Sequence, residues 1–479
     1  MHSITVQGKV RRRILNSTFM KKNAILSDDT IAAISTPNGE GALGIVRVSG
    51  KKTVSVMHEI FSPAQPVKRY QSHRLYYGSI VDGSECIDQV MAAYLKSGKT
   101  YTGEDMLEIY THGGSNVVNT VLQRVLKAGV RLAERGEFTR RAFLNGKMDL
   151  LQAEAVLDLI KADTDFARKQ AIGQMTGVLS EFITSIQKKL IQAKTGIEVM
   201  IDFPEEDVSQ VQLFDLKFIL QAAHDEVSHV LGSFEHAKMV REGISSVIVG
   251  RPNVGKSSLF NAIIGETRAI VTPHPGTTRD YIEESVHFEG IKLVFIDTAG
   301  IRHSEEPVER IGIDMTRTQI GKSDIVIIVV DPAAGSSYDE ELSLAQDHRN
   351  NAVIALNKTD IAPAERVEQA KKIFGDYQVF PVSAVSRDGI GALLRSLAGP
   401  LRAPSPENAP VISRHRHKQA LEHIQISLHA AINLIEQQAF PEIVAEEVDS
   451  ALAGLKDLTG EVTSQDILDT IFSEFCIGK

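Results

Sequence analysis

Apolar residues recur along this chain in three rhythms, and the changes of rhythm divide it. Between residues 28 and 148, short β-like runs at 30–34, 44–48, 89–95 and 107–111 accompany one helical stretch near 115–128. That mixture predicts an α+β domain. From 149 to 243 the apolar positions fall three, four and seven apart: Leu150, Ala153, Leu157 and Ile160, then Ile186, Leu190 and Ile197. Such spacing lines one face of a helix. Between 244 and 398, apolar strands at 246–250, 293–297, 325–331, 352–357 and 377–383 alternate with helical segments. This alternation is the mark of a doubly wound parallel sheet. Pro400, Pro404, Pro406 and Pro410 then mark a linker at 399–413. Helical spacing returns over 414–479, where Val444, Val448, Leu452, Leu455 and Leu458 share a face. The pattern predicts a multidomain α/β and α protein, in which an α/β module is inserted into a discontinuous helical domain. Domain termini tend to lie close together, so such an insertion costs little topologically.

Composition narrows the class. A chain of 479 residues is expected to form about two to four domains. Its 43% hydrophobic and 24% charged residues are ordinary for globular protein. No apolar run approaches the roughly 20 residues of a membrane span. Cys86 and Cys476 exclude a disulfide framework and are too few for a structural zinc site, so a reducing cytoplasm is the expected compartment. A net charge of −9 argues against a surface that grips nucleic acid everywhere. Residues 1–27 differ: Lys9, Arg11, Arg12, Arg13, Lys21 and Lys22 precede the first acid, Asp28. A mitochondrial transit peptide has this composition. So does a ragged bacterial N-terminus with its true start at Met20, and this second reading is preferred because no other signal supports import.

The candidate chemistry lies in the middle module. Residues 250–257 read Gly-Arg-Pro-Asn-Val-Gly-Lys-Ser, a phosphate-binding loop. Backbone N–H groups of Asn253, Val254, Gly255, Lys256, Ser257 and Ser258 can point at phosphates, assisted by the positive end of the following helix. Lys256 should reach the β- and γ-phosphates and the Ser257 hydroxyl should ligate Mg²⁺. Thr272-Pro273-His274-Pro275-Gly276-Thr277-Thr278 stands where a switch loop would reach the γ-phosphate, with Thr278 offering the second Mg²⁺ hydroxyl. In Asp297-Thr298-Ala299-Gly300, the aspartate is placed to hold a metal-bound water and Gly300 to donate to the γ-phosphate. Asn357-Lys358-Thr359-Asp360 and then Ser383-Ala384 complete the set. The Asp360 carboxylate can accept two hydrogen bonds from guanine N1 and the exocyclic amine, a donor pair that adenine lacks. The module therefore reads as a Ras-like G domain that binds and hydrolyses GTP.

One departure matters. Ras-like proteins place a water-orienting glutamine after the Asp-x-x-Gly element, and here that position is Ile301. The Asn253 side-chain carbonyl could hold K⁺ beside the phosphates, in the role of an arginine finger. Glu309 could orient the attacking water, although spacing alone favours reading it as a solvated acid on a helix beginning near Val308.

Several strings outside the nucleotide loops carry a resemblance. They are Asp-Thr-Ile-Ala-Ala-Ile-Ser-Thr-Pro at 29–37, Gly-Ile-Val-Arg-Val-Ser-Gly at 44–50 and Tyr-Thr-Gly-Glu-Asp at 101–105. Gly-Glu-Phe-Thr-Arg-Arg-Ala-Phe-Leu-Asn-Gly-Lys at 136–147 and a closing Phe-Cys-Ile-Gly-Lys at 475–479 complete them. From about residue 28 to 479 the chain closely resembles the MnmE (TrmE) family of tRNA-modification GTPases. The resemblance implies an N-terminal tetrahydrofolate-binding domain that also makes the homodimer contact. It implies a K⁺-stimulated GTPase whose two G domains meet across their nucleotides. It also implies a heterotetramer with an FAD- and NADH-using protein of the MnmG type. That assembly forms a carboxymethylaminomethyl or aminomethyl group at C5 of the wobble uridine of certain tRNAs. By position, Arg47, Glu104, Lys147 and Lys479 would contact 5-formyl-tetrahydrofolate or a related folate. Asn253, Thr272, His274 and Thr277 would surround K⁺, and Glu309 aligns with the family's catalytic glutamate. Cys476 would lie near the modification site.

Plainer readings stand beside these. Arg47 could be a solvated charge at a strand end, Lys147 a partner of Asp149, and Cys476 either a small buried residue or a reactive thiol. His415 and His417, in Arg-His-Arg-His-Lys, read as a solvated charge run. An Era-type ribosome-assembly GTPase is the alternative function, disfavoured by the acidic balance.

Overall fold

The computed structural model describes residues 29–37, 39–202, 210–266, 282–297, 320–334, 337–402 and 409–479. The basic extension at 1–27 lies outside them. Contacts divide the chain into two compact units: residues up to Leu157 with Lys456–Lys479, and Asp158–Leu455. Among the described residues no helix is long and apolar enough to cross a membrane.

The first unit is built on a seven-stranded sheet: β1 (Ile31–Ile34), β2 (Gly41–Ser49), β3 (Phe61–Pro63), β4 (Arg74–Asp82), β5 (Glu85–Leu95), β6 (Met106–Gly113) and β7 (Arg131–Leu132). The spatial order is β3-β4-β5-β6-β2-β1-β7. Helices α1 (Thr53–Ile60) and α2 (Ser115–Lys127) cover one face. There Val46, Val48, Ile80, Val90, Ala92, Leu107 and Ile109 share a core with Val56, Met57, Val121 and Val125. Strand side chains alternate between faces, so the register puts Tyr77, Met91, Tyr110 and Ile45 in one row across the opposite face. Tyr77 and Met91 are exposed in that row. Helices α3 (Glu137–Leu144) and α4 (Leu150–Lys161) follow, and the division between units falls within α4.

The second unit combines a helical part with a doubly wound sheet. Helices α5 (Asp165–Met175), α6 (Val178–Asp202), α7 (Gln210–Gly232) and α8 (Phe234–Glu242) lead into β8 (Ile244–Val249). Next come α9 (Lys256–Glu266), β9 (Ile282–Phe288), β10 (Ile291–Asp297) and β11 (Ile325–Val330), then α10 (Asp339–Asp347), β12 (Ala352–Leu356), α11 (Ala364–Ile373), β13 (Gln378–Pro381) and α12 (Ile390–Leu397). The strand order is β13-β12-β11-β8-β10-β9, and every neighbouring pair is parallel except β9 with β10. All six residues of β11 are buried, as expected for a strand covered on both faces. One core holds Leu259, Ile263, Leu393 and Leu397 from α9 and α12, and the other holds Ala345, Val367, Ala370 and Phe374. From β8 the chain passes to β10 on one side, and β11 then pairs on the other. The crevice beyond the end of β8 is thus the topological switch point, where ligands bind in such sheets.

Helix α13 (His415–Glu436) returns to the helical part, where Gln425 Nε2 donates to Ser228 Oγ at 2.7 Å and Lys217 pairs with Glu436 at 2.6 Å. The expected solvated charge run at its start is only partly exposed. His417 is 2% exposed, because it stands one turn before Leu421 on the inward face. Arg414 likewise pairs at 2.6 Å with Asp158, whose side chain is 8% exposed. The division between units falls again within α14 (Pro441–Thr459), and α15 (Gln465–Ser473) belongs to the first. There Leu468, Ile471, Phe472 and Phe475 pack on Leu150, Ala153 and Leu157. The stretch 414–479, expected as one helical half, is therefore shared between the two units.

Candidate functional site

The candidate phosphate-binding loop, residues 250–257, occupies the switch point. It begins as β8 ends, and Lys256 opens α9. Asn253 has φ 65° and Gly255 φ 94°. A Cβ on Gly255 would also stand 2.4 Å from Asn357 Nδ2, so only glycine fits this strained and crowded position. Lys256 Nζ donates to the carbonyls of Gly250 at 3.0 Å and Arg251 at 2.8 Å, which holds its charge over the loop. Ser257 and Ser258 are exposed in the first turn of α9, and Val254 is buried beneath the loop.

The Asn357–Asp360 element is tied to that loop by side chains. Asn357, 1% exposed at the end of β12, donates from Nδ2 to Val254 O at 2.9 Å and accepts Ala384 N–H on Oδ1 at 3.1 Å. Lys358 Nζ donates to Asn253 O at 2.8 Å and pairs with Asp331 Oδ2 at 2.7 Å. The Ser383 hydroxyl donates to Asp360 Oδ1 at 2.7 Å, orienting a carboxylate that stays exposed. A lysine and a helix N-terminus at one end, with an oriented carboxylate at the other, suit a triphosphate and a guanine. Asp297 closes β10 in register with Ile248. Thr272, Pro273, His274, Pro275, Gly276, Thr277, Thr278, Thr298, Ala299, Gly300 and Glu309 lie outside the described residues.

The four folate candidates fall in the first unit. Arg47 is inside β2, not at a strand end, and its guanidinium pairs with Glu108 at 2.8 Å, opposite it in register. It also lies over the rings of Tyr101 and Phe138 at 5.8 and 5.9 Å. Lys479 reaches the same neighbourhood. Burial, and then the Arg47 charge, push its ammonium below the usual lysine range, against the opposite pull of Cys476 and Glu108. The tail is clamped at its backbone carbonyls. Phe138 N–H donates to Lys479 O at 3.1 Å, Gly136 N–H to Cys476 O at 3.3 Å, Arg135 Nε to Phe475 O at 2.9 Å and Ser35 Oγ to Gly478 O at 3.2 Å. Gly478 has φ 93°, and a Cβ there would meet Ile34 O at 2.1 Å. Cys476 is exposed, which removes the small-buried-residue reading.

Glu104 and Lys147 form the other half. Arg141 Nη1 lies 3.3 and 3.2 Å from the two Glu104 oxygens, and the Ser49 hydroxyl donates to Oε2 at 2.7 Å. Lys147 Nζ donates to Gly98 O at 2.7 Å, whereas Asp149 accepts the Gln152 N–H at the start of α4, so the expected Lys147–Asp149 pair is not formed. Asn145 Nδ2 on Thr102 O at 2.7 Å fastens the loop of Glu104 to the segment carrying Lys147. Arg141 also pairs with Asp29 at 2.6 Å and Glu137 at 2.9 Å, and Arg131 with Asp29 and Glu137, each at 2.7 Å. Burial would raise the Asp29 and Glu137 carboxyls, but these arginines outweigh it and hold both below their ordinary values. Sequence reasoning assigned no role to Glu108, Tyr101, Arg141 or Asp331. Arg141 lies in a quoted family string, while Asp331 carried no local signal.

Two family models match the chain. The family model described as GTP-binding protein TrmE N-terminus matches residues 30–147, and the one described as MnmE helical domain matches residues 150–476. This chain belongs to the MnmE family of tRNA modification GTPases. The tRNA modification GTPase MnmE of Clostridioides difficile (strain 630) is 40% identical over 456 residues, covering 94% of this chain and 99% of that protein. The tRNA modification GTPase MnmE of Carboxydothermus hydrogenoformans is 40% identical over 462 residues, covering 95% of this chain and 100% of that protein. MnmE of Natranaerobius thermophilus is 38% identical over 461 residues. The chain is thus a GTP hydrolase of tRNA modification, with the inserted doubly wound domain as its Ras-like G domain.

Proposed function

We propose that this MnmE-family GTPase uses K⁺-stimulated GTP hydrolysis to drive formation of a carboxymethylaminomethyl or aminomethyl group at C5 of tRNA wobble uridine. It acts in the cytoplasm as a homodimer with an FAD protein of the MnmG type. The observation that carries the reading is the side-chain bridge from Asn357 to Val254 and Ala384, which joins phosphate loop and base loop into one cradle. Lys256 would move from its own loop carbonyls to the β- and γ-phosphates, and Ser257 and Thr278 would hold Mg²⁺, which would neutralise phosphate charge. Asp360, aimed by Ser383, reads guanine N1 and the exocyclic amine. Asn253, whose side-chain amide has no partner among the described residues, would hold K⁺ together with Thr272, His274 and Thr277. Ile301 cannot orient water, so that task falls to Glu309. Water attacks the γ-phosphorus, the bond to the β-phosphate oxygen breaks, and GDP and phosphate leave.

The folate reading rests on two half-sites. Arg47 and Lys479 offer cations to a folate's glutamate carboxylates, and Glu104, fixed by Arg141 and Ser49, offers a carboxylate to a pterin edge. The exposed row of Tyr77 and Met91, continued by Tyr110 and Ile45, supports the homodimer, because a second copy would cover it.

Turnover should be at least about tenfold faster in K⁺ than in Na⁺, and equal rates would overturn the cation assignment. Nucleoside analysis of tRNA from a deletion strain should show the C5 group missing. Intact modification with a ribosome-assembly defect would instead favour the Era-type reading.

A further inference from the structure

The first turn of α10 carries Asp339, Glu340 and Glu341. Acids there ordinarily stay in solvent and complement the helix dipole. Glu340 does so, with its side chain 77% exposed. Glu341 does not: it is 4% exposed. Its Oε1 lies 3.0 Å from Arg251 Nε, and its Oε2 is buried without a hydrogen-bond partner. A buried carboxylate is costly unless paired with a cation, and the cation here is the second residue of the phosphate-binding loop.

We propose that Glu341 is a positioning residue for GTP hydrolysis, holding the phosphate-binding loop through Arg251. The inference rests on reading residues 250–258 as the nucleotide site. Arg251 is gripped at its side chain by Glu341 and by Glu340, whose Oε2 accepts from Nε at 3.2 Å. Its carbonyl meanwhile accepts Lys256 Nζ at 2.8 Å. The carboxylate on α10 is therefore linked through one residue to the backbone on which the phosphate lysine rests. Asn357 anchors the same loop three residues on, at Val254. The loop is thus pinned at both ends, by an ion pair at one and an amide at the other. Glu341 also keeps the guanidinium turned toward α10, where it cannot compete with Lys256 for phosphate oxygens. An entering triphosphate then meets a loop already in its binding shape, so the ion pair acts on nucleotide affinity rather than on the bond-breaking step.

The test uses the full chain and a fluorescent GTP analogue, with GTP turnover measured in parallel. Glu341→Gln keeps the side-chain volume and removes the charge. It should raise Kd and KM for GTP about tenfold while kcat stays within about twofold, the signature of lost binding without lost chemistry. Arg251→Ala should do the same, and the double variant should be no weaker than the worse single one. Additive losses, an unchanged Kd in Glu341→Gln, or a fall in kcat alone would each overturn the proposal. If Glu341→Gln fails to fold, Arg251 variants decide: Arg251→Ala should weaken GTP and Arg251→Lys should restore part of the loss. No difference between them and the unaltered chain refutes the inference. An unaltered chain that fails to bind GTP would refute the nucleotide-site reading itself, a separate result.

Discussion

Replacing Asn357 by alanine removes the side-chain hydrogen bonds that tie Val254 and, more weakly, Gly255 to Ala384. Asn357 is 1% exposed, its Nδ2 lies 2.9 Å from Val254 O, and its Oδ1 lies 3.1 Å from Ala384 N. Each group it abandons belongs to a different loop of the cradle. A buried polar group left without a partner costs about 1–3 kcal/mol. Because the Ala384 side is only partly buried, the two together should cost roughly 2–4 kcal/mol. GTP needs both loops in place, so most of that penalty should appear as lost affinity. With about 1.4 kcal/mol per tenfold, binding should weaken roughly 30- to 700-fold. Base preference should not change, since Asp360 and its Ser383 partner remain. Titration of a fluorescent GTP analogue, with GTP and xanthosine triphosphate as competitors, measures both quantities. An affinity loss below about threefold, or a shift of preference toward xanthosine, would refute the reasoning.

Asp360→Asn should also weaken GTP but turn preference toward xanthosine triphosphate in the same competition; unchanged guanine preference would remove its base-reading role. Glu309→Ala should keep GTP affinity and lose turnover, because orienting water requires no phosphate contact; equal loss of both would refute that assignment. Gly478→Ala places a Cβ at φ 93° and 2.1 Å from Ile34 O. It should release the C-terminal tail and weaken formyl-tetrahydrofolate binding while leaving GTP turnover unchanged, as calorimetry and a phosphate-release assay would show. Asp29 and Glu137 have folded values held below the ordinary carboxylate range, with the arginines outweighing burial. Their contribution is thus fully present above the unfolded value of about 4 and is lost as pH falls through the lowered folded values. Arg141→Met should flatten the acid side of the melting-temperature profile, and a slope equal to that of the unaltered chain would refute the pairing.

How legible each element was follows from where its polar residues go. Strand β11 reads plainly because a central parallel strand is buried on both faces and is apolar throughout. Strand β9, Ile-Glu-Glu-Ser-Val-His-Phe, was not predicted, since an edge strand beside β10 keeps much of its surface polar. Helix α3 was missed for a different reason. Its Glu137 and Arg141 are buried as ion partners, and periodicity of apolar residues counts them as surface. The same blindness made His417 look solvated and gave Glu341 no signal at all.

Legible in the chain alone is the candidate chemistry of contiguous loops. A phosphate loop and an Asn-Lys-x-Asp element each act through a few neighbouring backbone and side-chain groups, so their spacing is written in the chain. The tertiary structure alone decided which distant groups meet. It brings Lys479 beside Arg47, Arg141 onto Glu104, Asn357 under Val254, and Glu341 onto Arg251. Those pairings depend on strand order and on which unit receives the chain's last helix. Strand order and helix docking are set by the packing of whole faces, which local residue spacing does not encode.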